Sequence, residues 1–157
     1  MTENSLGIFL PEMRLDFWDA LWQGQITSVK ALEKKLSVLK LPISIHSTCY
    51  RCTLTLQHGD DYLEQIWRYG QQRLRVAVGN LLPKEDSGVV YGVCQLTTRH
   101  IHILACAAHS QTAPALKARL EKDIAALVEA LEQYLDLFTT LKEMIPVESL
   151  VDLVPKT

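Results

Sequence analysis

Two histidines, His100 and His102, stand two residues apart in the run Leu96–Ala107, which otherwise reads as a buried β-strand. Alternate residues of a strand share a face, so both imidazoles point the same way. Three chemistries are open to them: a metal site, a catalytic pair, or the outer surface of a sheet. Upstream, Cys49-Tyr-Arg-Cys52 has the spacing of a redox or zinc-knuckle pair, with His46, His100 and His102 available to complete four ligands. A redox pair of that spacing opens a helix, where its thiolate is stabilised. This one runs into an alternating stretch that splits the two thiols between opposite faces. Cys94 and Cys106 are too far apart in sequence to supply a second closely spaced ligand pair. All four cysteines therefore read as small, reduced, buried strand residues, because 157 residues with a good core need no disulfide staples.

The histidines alternate with Arg99, Ile101, Ile103 and Ala105, and the aliphatic members make that the better core side. His100 and His102 are then expected on the sheet face away from the helices, as a solvated or partner-facing pair. No carboxylate nearby in sequence is placed to orient them for proton transfer. The segment Tyr69–Arg75 is the strongest basic cluster, and along a helix in a charge-balanced chain it reads by default as a solvated face, with an anionic ligand or an acidic partner surface as the alternative. A sheet that binds RNA needs exposed aromatics on its central strands, and Arg99–Ala107 contains none. With 16 Lys and Arg against 18 Asp and Glu, a formal charge of −2 gives no pull toward nucleic acid. Walker, nucleophile-elbow and HExxH patterns are missing. The site expectation is thus no catalytic, cofactor or metal residue, with His100, His102, Arg99, Trp18 and Trp22 as ligand or partner contacts.

Apolar residues make up 48% and charged residues 22% of the chain, the balance of a folded globular protein. No apolar run is long enough to span a bilayer, and the N-terminus lacks a basic stretch followed by a long apolar one. A cytoplasmic chain without membrane contact is expected.

The elements that must carry these residues follow from periodicity and punctuation. A first helix falls within Pro11–Trp22, with Leu15, Trp18, Leu21 and Trp22 as its stripe and Gly24 as its stop. A second begins near Thr27 or Ser28 and ends before Pro42. Alternation marks a first strand in 43–57, clearest from Arg51 to Gln57. Asp60 or Asp61 then caps one long helix through Leu82, with Leu63, Ile66, Trp67, Leu74, Ala77 and Leu81 facing inward. Gly70 and Gly79 each weaken it by roughly 1 kcal/mol relative to alanine. After the turn Pro83–Gly88, Val89–Leu96 and Arg99–Ala107 form a hairpin joined at Thr97-Thr98. Thr112 caps a helix whose Leu116, Leu120, Ile124, Leu127 and Leu131 make one continuous face. Tyr134–Leu141 reads as a fourth strand, although Leu135 and Leu137 could instead prolong the helix, and Pro146 permits a last short helix through Leu153.

The order strand, helix, strand, strand, helix, strand is that of the split βαβ, ferredoxin-like class of α+β folds: an antiparallel sheet with two helices on one face. Residues 1–42 are an N-terminal helical segment packing on a 43–157 core, the whole forming one domain.

Two stretches, Phe17-Trp-Asp-Ala-Leu-Trp-Gln-Gly24 and Tyr62–Asn80, resemble the central region of YesN-type, AraC-family response regulators, a divergent relative of the GGDEF nucleotidyl cyclase domain. That resemblance implies the same βαββαβ core and places the cyclase signature at Thr97-Thr-Arg-His-Ile101, where neither the two glycines nor the acidic pair occurs. It places the family's metal-binding aspartate within Cys52–Leu56, which holds no carboxylate. Without those acids nothing holds Mg²⁺ against a triphosphate. The expected function is a non-catalytic regulatory, sensing or dimerisation domain of a bacterial two-component transcriptional regulator, with a homodimer or neighbouring domains as partners. A small-molecule module of the amino-acid-binding kind is the alternative. An enzyme using His100, His102 or Cys94 is a third.

Overall fold

In the computed structural model, residues 3–84, 87–108 and 113–155 are described. Helix α1 runs Glu3–Trp22, longer on its N-terminal side than expected. It stops at Gly24, whose φ of +72° lets Gly24 N–H bond Leu21 O and Gln25 N–H bond Ala20 O, a double closure that glycine accepts without strain. Helix α2, Val29–Val38, starts where Ser28 Oγ accepts the Ala31 N–H at 3.1 Å. Its last carbonyls are held from α1, since Arg14 donates to Leu39 O at 2.9 Å and to Lys40 O at 3.2 Å.

Strands β1 (Cys49–Leu56), β2 (Val89–Leu96), β3 (His100–Ala107) and β4 (Thr139–Val147) form one antiparallel sheet in the order β2-β3-β1-β4. The fold is therefore α+β, a four-stranded antiparallel sheet with helices, as the element order implied. Register puts Cys52, Leu54, Leu56, Ile101, Ile103 and Ala105 on one face, beneath Leu74 and Val78 and the fully buried row Leu116, Leu120, Ile124, Leu127 and Leu131. Those last five belong to helix α5, Ala113–Leu135. Thr112, expected to cap α5, lies outside the described residues.

The other face is not left bare. Phe17, Trp18 and Leu21 of α1, with Leu32 and Leu36 of α2, pack on Cys49, Val90, Cys94, Leu104 and Cys106 to make a second core. Cys49 and Cys52 therefore do point to opposite cores, and all four cysteines are free and buried.

Three expectations fail for identifiable reasons. The long helix from Asp60 to Leu82 is broken into a three-residue turn α3 (Gly59–Asp61), a wide turn over Tyr62–Ile66, and helix α4 (Gln71–Leu81). Neither aspartate caps it. Trp67 leaves helical geometry at φ −99°, ψ 98°, its indole N–H takes the Gly70 carbonyl at 2.9 Å, and Gly70 adopts φ +94°. The break turns Ile66 out to solvent, at 55% exposure. The fourth strand is Thr139–Val147 rather than Tyr134–Leu141, because α5 continues to Leu135 and reverses at Asp136 (φ +54°). Pro146, expected to open a helix, sits inside β4. There it is tolerated, because β4 is an edge strand and the odd-numbered residues of β1, not Tyr50 opposite Pro146, bond across to it. The terminal helix shrinks to a turn at Leu150–Leu153.

Candidate functional site

Helix α1 ends over the middle of the sheet, so its last residue, Trp22, lands beside the open half of the second face. The Trp22 and His102 rings stack at 4.9 Å with planes 27° apart. Arg51 of β1 lays its guanidinium carbon 4.2 Å from the Trp22 ring centre, in cation–π geometry. His100 follows at 5.6 Å from His102. Beneath them Thr53, buried and paired across the sheet with His102, brings its Oγ1 to 3.1 Å from His102 Nδ1. Glu143 faces the same side, opposite Thr53, and Ile145 lies opposite Arg51. Ile145 is 46% exposed, and Phe138, next to the same strand, is 45% exposed.

His102 titrates below its ordinary range. Burial is the main cause, and His100, Arg51 and Lys142 add positive charge around it while Glu143 opposes them. A lowered folded pKa means that the unfolded chain binds the proton more readily. The contribution is therefore fully present above about pH 6.5, the unfolded value, and is lost as pH falls from there through the lower folded value. Stability from chemical denaturation should rise with pH across this window in the wild type, and the slope should flatten in His102→Gln. An unchanged slope would show that His102 does not carry it.

No family model, curated protein or solved structure matches the chain. Its chemistry must be argued from its own side chains. Thr53 occupies the ring nitrogen that an orienting carboxylate would need, and the described residues contain no group of three or more His, Cys, Asp or Glu placed to share a metal ion. Three of the thiols are poor nucleophiles where they stand. Burial pushes Cys52 up to about 12 and also raises Cys94 and Cys106 well above the ordinary thiol range, and only the thiolate reacts.

The five expected contact residues separate. His100, His102 and Trp22 come together. Arg99 is exposed in the hairpin turn, not on the core face of β3, and its backbone does the work there: its N–H bonds Thr97 Oγ1 at 3.2 Å and its carbonyl accepts the Leu56 N–H at 2.9 Å. Trp18 offers nothing to a partner, being 3% exposed and packed inside the second core. Arg51 was overlooked, although the alternation Arg51, Thr53, Thr55 was visible. What was not visible is the pairing of β1 with β3, which sets Thr53 against His102. Within the Tyr69–Arg75 cluster, Tyr69 and Arg73 are exposed as expected, but Arg75 is not: it is buried at 8% exposure.

Proposed function

We propose that this chain is a non-catalytic regulatory domain of a bacterial two-component, AraC-type transcriptional regulator, built on a degenerate GGDEF-like, ferredoxin-like core, and that it self-associates through the open half of its second sheet face. The observation that carries the reading is the Trp22–Arg51–His102 stack with exposed Ile145 opposite Arg51 on the same sheet face. Aromatic and arginine side chains on a partly apolar surface are the composition of an interface centre. The sheet order β2-β3-β1-β4 supports the ferredoxin-like core, and the acid-free positions Cys52–Leu56 and Thr97–Ile101 support loss of cyclase chemistry.

A second copy is the occupant the charges favour. Arg51, whose side chain makes no hydrogen bond or ion pair among the described residues, and Glu143 lie on neighbouring strands of the same face. A two-fold axis between them sets Arg51 of each copy against the partner's Glu143. Sedimentation equilibrium should show a concentration-dependent dimer that Arg51→Glu weakens by at least about tenfold. Combining it with Glu143→Arg should restore the dimer. A chain that stays monomeric throughout, or a charge swap that rescues nothing, would remove this reading and favour a neighbouring domain as the occupant. Incubation with GTP and Mg²⁺ should yield no cyclic dinucleotide, and detectable synthesis would overturn the non-catalytic assignment.

A further inference from the structure

Arg75 is a buried cation without a counter-charge. Its NH2 donates to Val93 O at 2.8 Å and Leu15 O at 3.1 Å, and its NH1 donates to Gln72 Oε1 at 3.0 Å. Among the described residues no carboxylate pairs with it, and its buried Nε has no partner. Three of the five guanidinium N–H groups are thus used, all on neutral acceptors. A neutral amide could pin α1 and α4 to β2 through the same two carbonyls without the cost of burying a charge, so a purely structural role leaves the positive charge unexplained.

The surroundings of Arg75 supply the explanation. It lines a cleft of about 260 Å³ between the end of α1, the start of α4 and β2, together with Asp19, Gln23, Gln71, Gln72 and Gln95. That volume is below the roughly 300–1,000 Å³ of clefts that take drug-sized ligands, so the occupant is small. Gln71 and Gln72 are the first two residues of α4. This eleven-residue helix has Gly70 at its N-cap, no capping side chain and no acid in its first turn, so its positive end also lacks an anion. Asp19 stands in the same cleft without pairing to Arg75. Its Oδ1 is held by the amides of Gln23 at 2.7 Å and Gln95 at 3.2 Å, while Oδ2 accepts no hydrogen bond among the described residues. The cleft is therefore lined by a cation with one unused NH1 hydrogen and, separately, by a carboxylate with a spare oxygen.

We infer that this cleft binds a small zwitterion of the α-amino-acid type, its carboxylate taken by Arg75 and the start of α4, its ammonium by Asp19, and its side chain met by the glutamine amides. The sheet helps to build the site. β2 shifts register between Val93 and Gln95, and the irregularity coincides with the Val93 carbonyl being handed to Arg75 and Gln95 being brought to Asp19. The cleft adjoins the proposed self-association surface, since Gln95 lies opposite His102 and Gln23 follows Trp22, but the inference does not rest on self-association.

The test uses the full chain and the twenty L-amino acids, each with its N-acetyl derivative, read by melting temperature and by titration of the backbone amide resonances. At least one amino acid should raise the melting temperature saturably and shift Gln71, Gln72 and Gln95. Its N-acetyl derivative, which keeps the carboxylate and loses the ammonium, should bind at least about tenfold more weakly. Asp19→Asn should give the same loss, and Arg75→Met should abolish binding. Because Arg75→Met also removes contacts to two backbone carbonyls, Asp19→Asn is the variant that keeps the test decisive if the first fails to fold. No saturable binding by any amino acid, or binding indifferent to acetylation and to Asp19→Asn, overturns the inference.

Discussion

Trp18→Ala is expected to cost about 3–5 kcal/mol of stability, one of the two largest single-residue effects in this chain. The indole is 3% exposed and lies against the backbone of β2 at Gly92, with Phe17 tilted against it at 5.0 Å. A β-carbon built on Gly92 would come within 2.1 to 2.4 Å of three atoms of the Trp18 ring. The contact is therefore indole to glycine backbone, and no other residue at position 92 leaves room for it. Gly92→Ala should lose about 3 kcal/mol from the crowded side of the same contact. The two effects must not add, since alanine at 92 costs little once the ring is gone, and a double-mutant cycle in guanidinium chloride should report a coupling of about 1–3 kcal/mol. With α1 loosened, Cys94 and Cys106 beneath it should react faster with a thiol reagent. If Trp18 were instead a partner contact, alanine there would leave the stability of the monomer unchanged and weaken only association.

That contrast shows where sequence patterns stop. The periodicity of α1 correctly put Trp18 and Trp22 on one stripe, and nothing in the stripe says that Trp18 meets a glycine in β2 while Trp22 runs past the last helical turn onto His102. Local signals carried well wherever the cause was local. Ser28 caps α2, Gly24 ends α1, and the leucine row of α5 is buried throughout. They failed where a distant contact overrides propensity. Gly70 was correctly weighed as a weak point of the long helix, but the tie that breaks it, Trp67 to the Gly70 carbonyl, depends on a side chain leaving the helix path. A basic run along a helix in a charge-balanced chain implies a solvated face, and the burial of Arg75 follows only once α1 and the irregular stretch of β2 are known to close over α4. The histidine face was legible as a face. Its half-covering by α1 and α2 was not, because an amphipathic helix shows that it needs a surface and not which one.

Gly59→Ala should destabilise the chain by about 2–3 kcal/mol, against the helix-propensity argument, which favours alanine by about 1 kcal/mol in a helical residue. Gly59 opens the turn α3 and is buried, and its φ is not one that demands glycine. Space demands it. An added β-carbon would lie 1.8 Å from the Thr98 carbonyl oxygen, 2.8 Å from the Thr98 carbonyl carbon and 3.2 Å from Leu56 Cβ. Two of these atoms are backbone, so no side-chain rotation relieves the clash and the β2–β3 turn itself must move. That turn is tied down by Leu56 N–H to Arg99 O and Thr97 N–H to His100 O, both at 2.9 Å. Pushing Thr98 outward strains both and carries His100 away from His102. The amide resonances of Thr97 to His100 should therefore shift in Gly59→Ala, and the Leu56 amide should lose protection from hydrogen exchange before the strand centres do. Retained stability with an undisturbed turn would mean that the contact between Gly59 and the hairpin yields freely. The position of His100 would then be set by β3 alone.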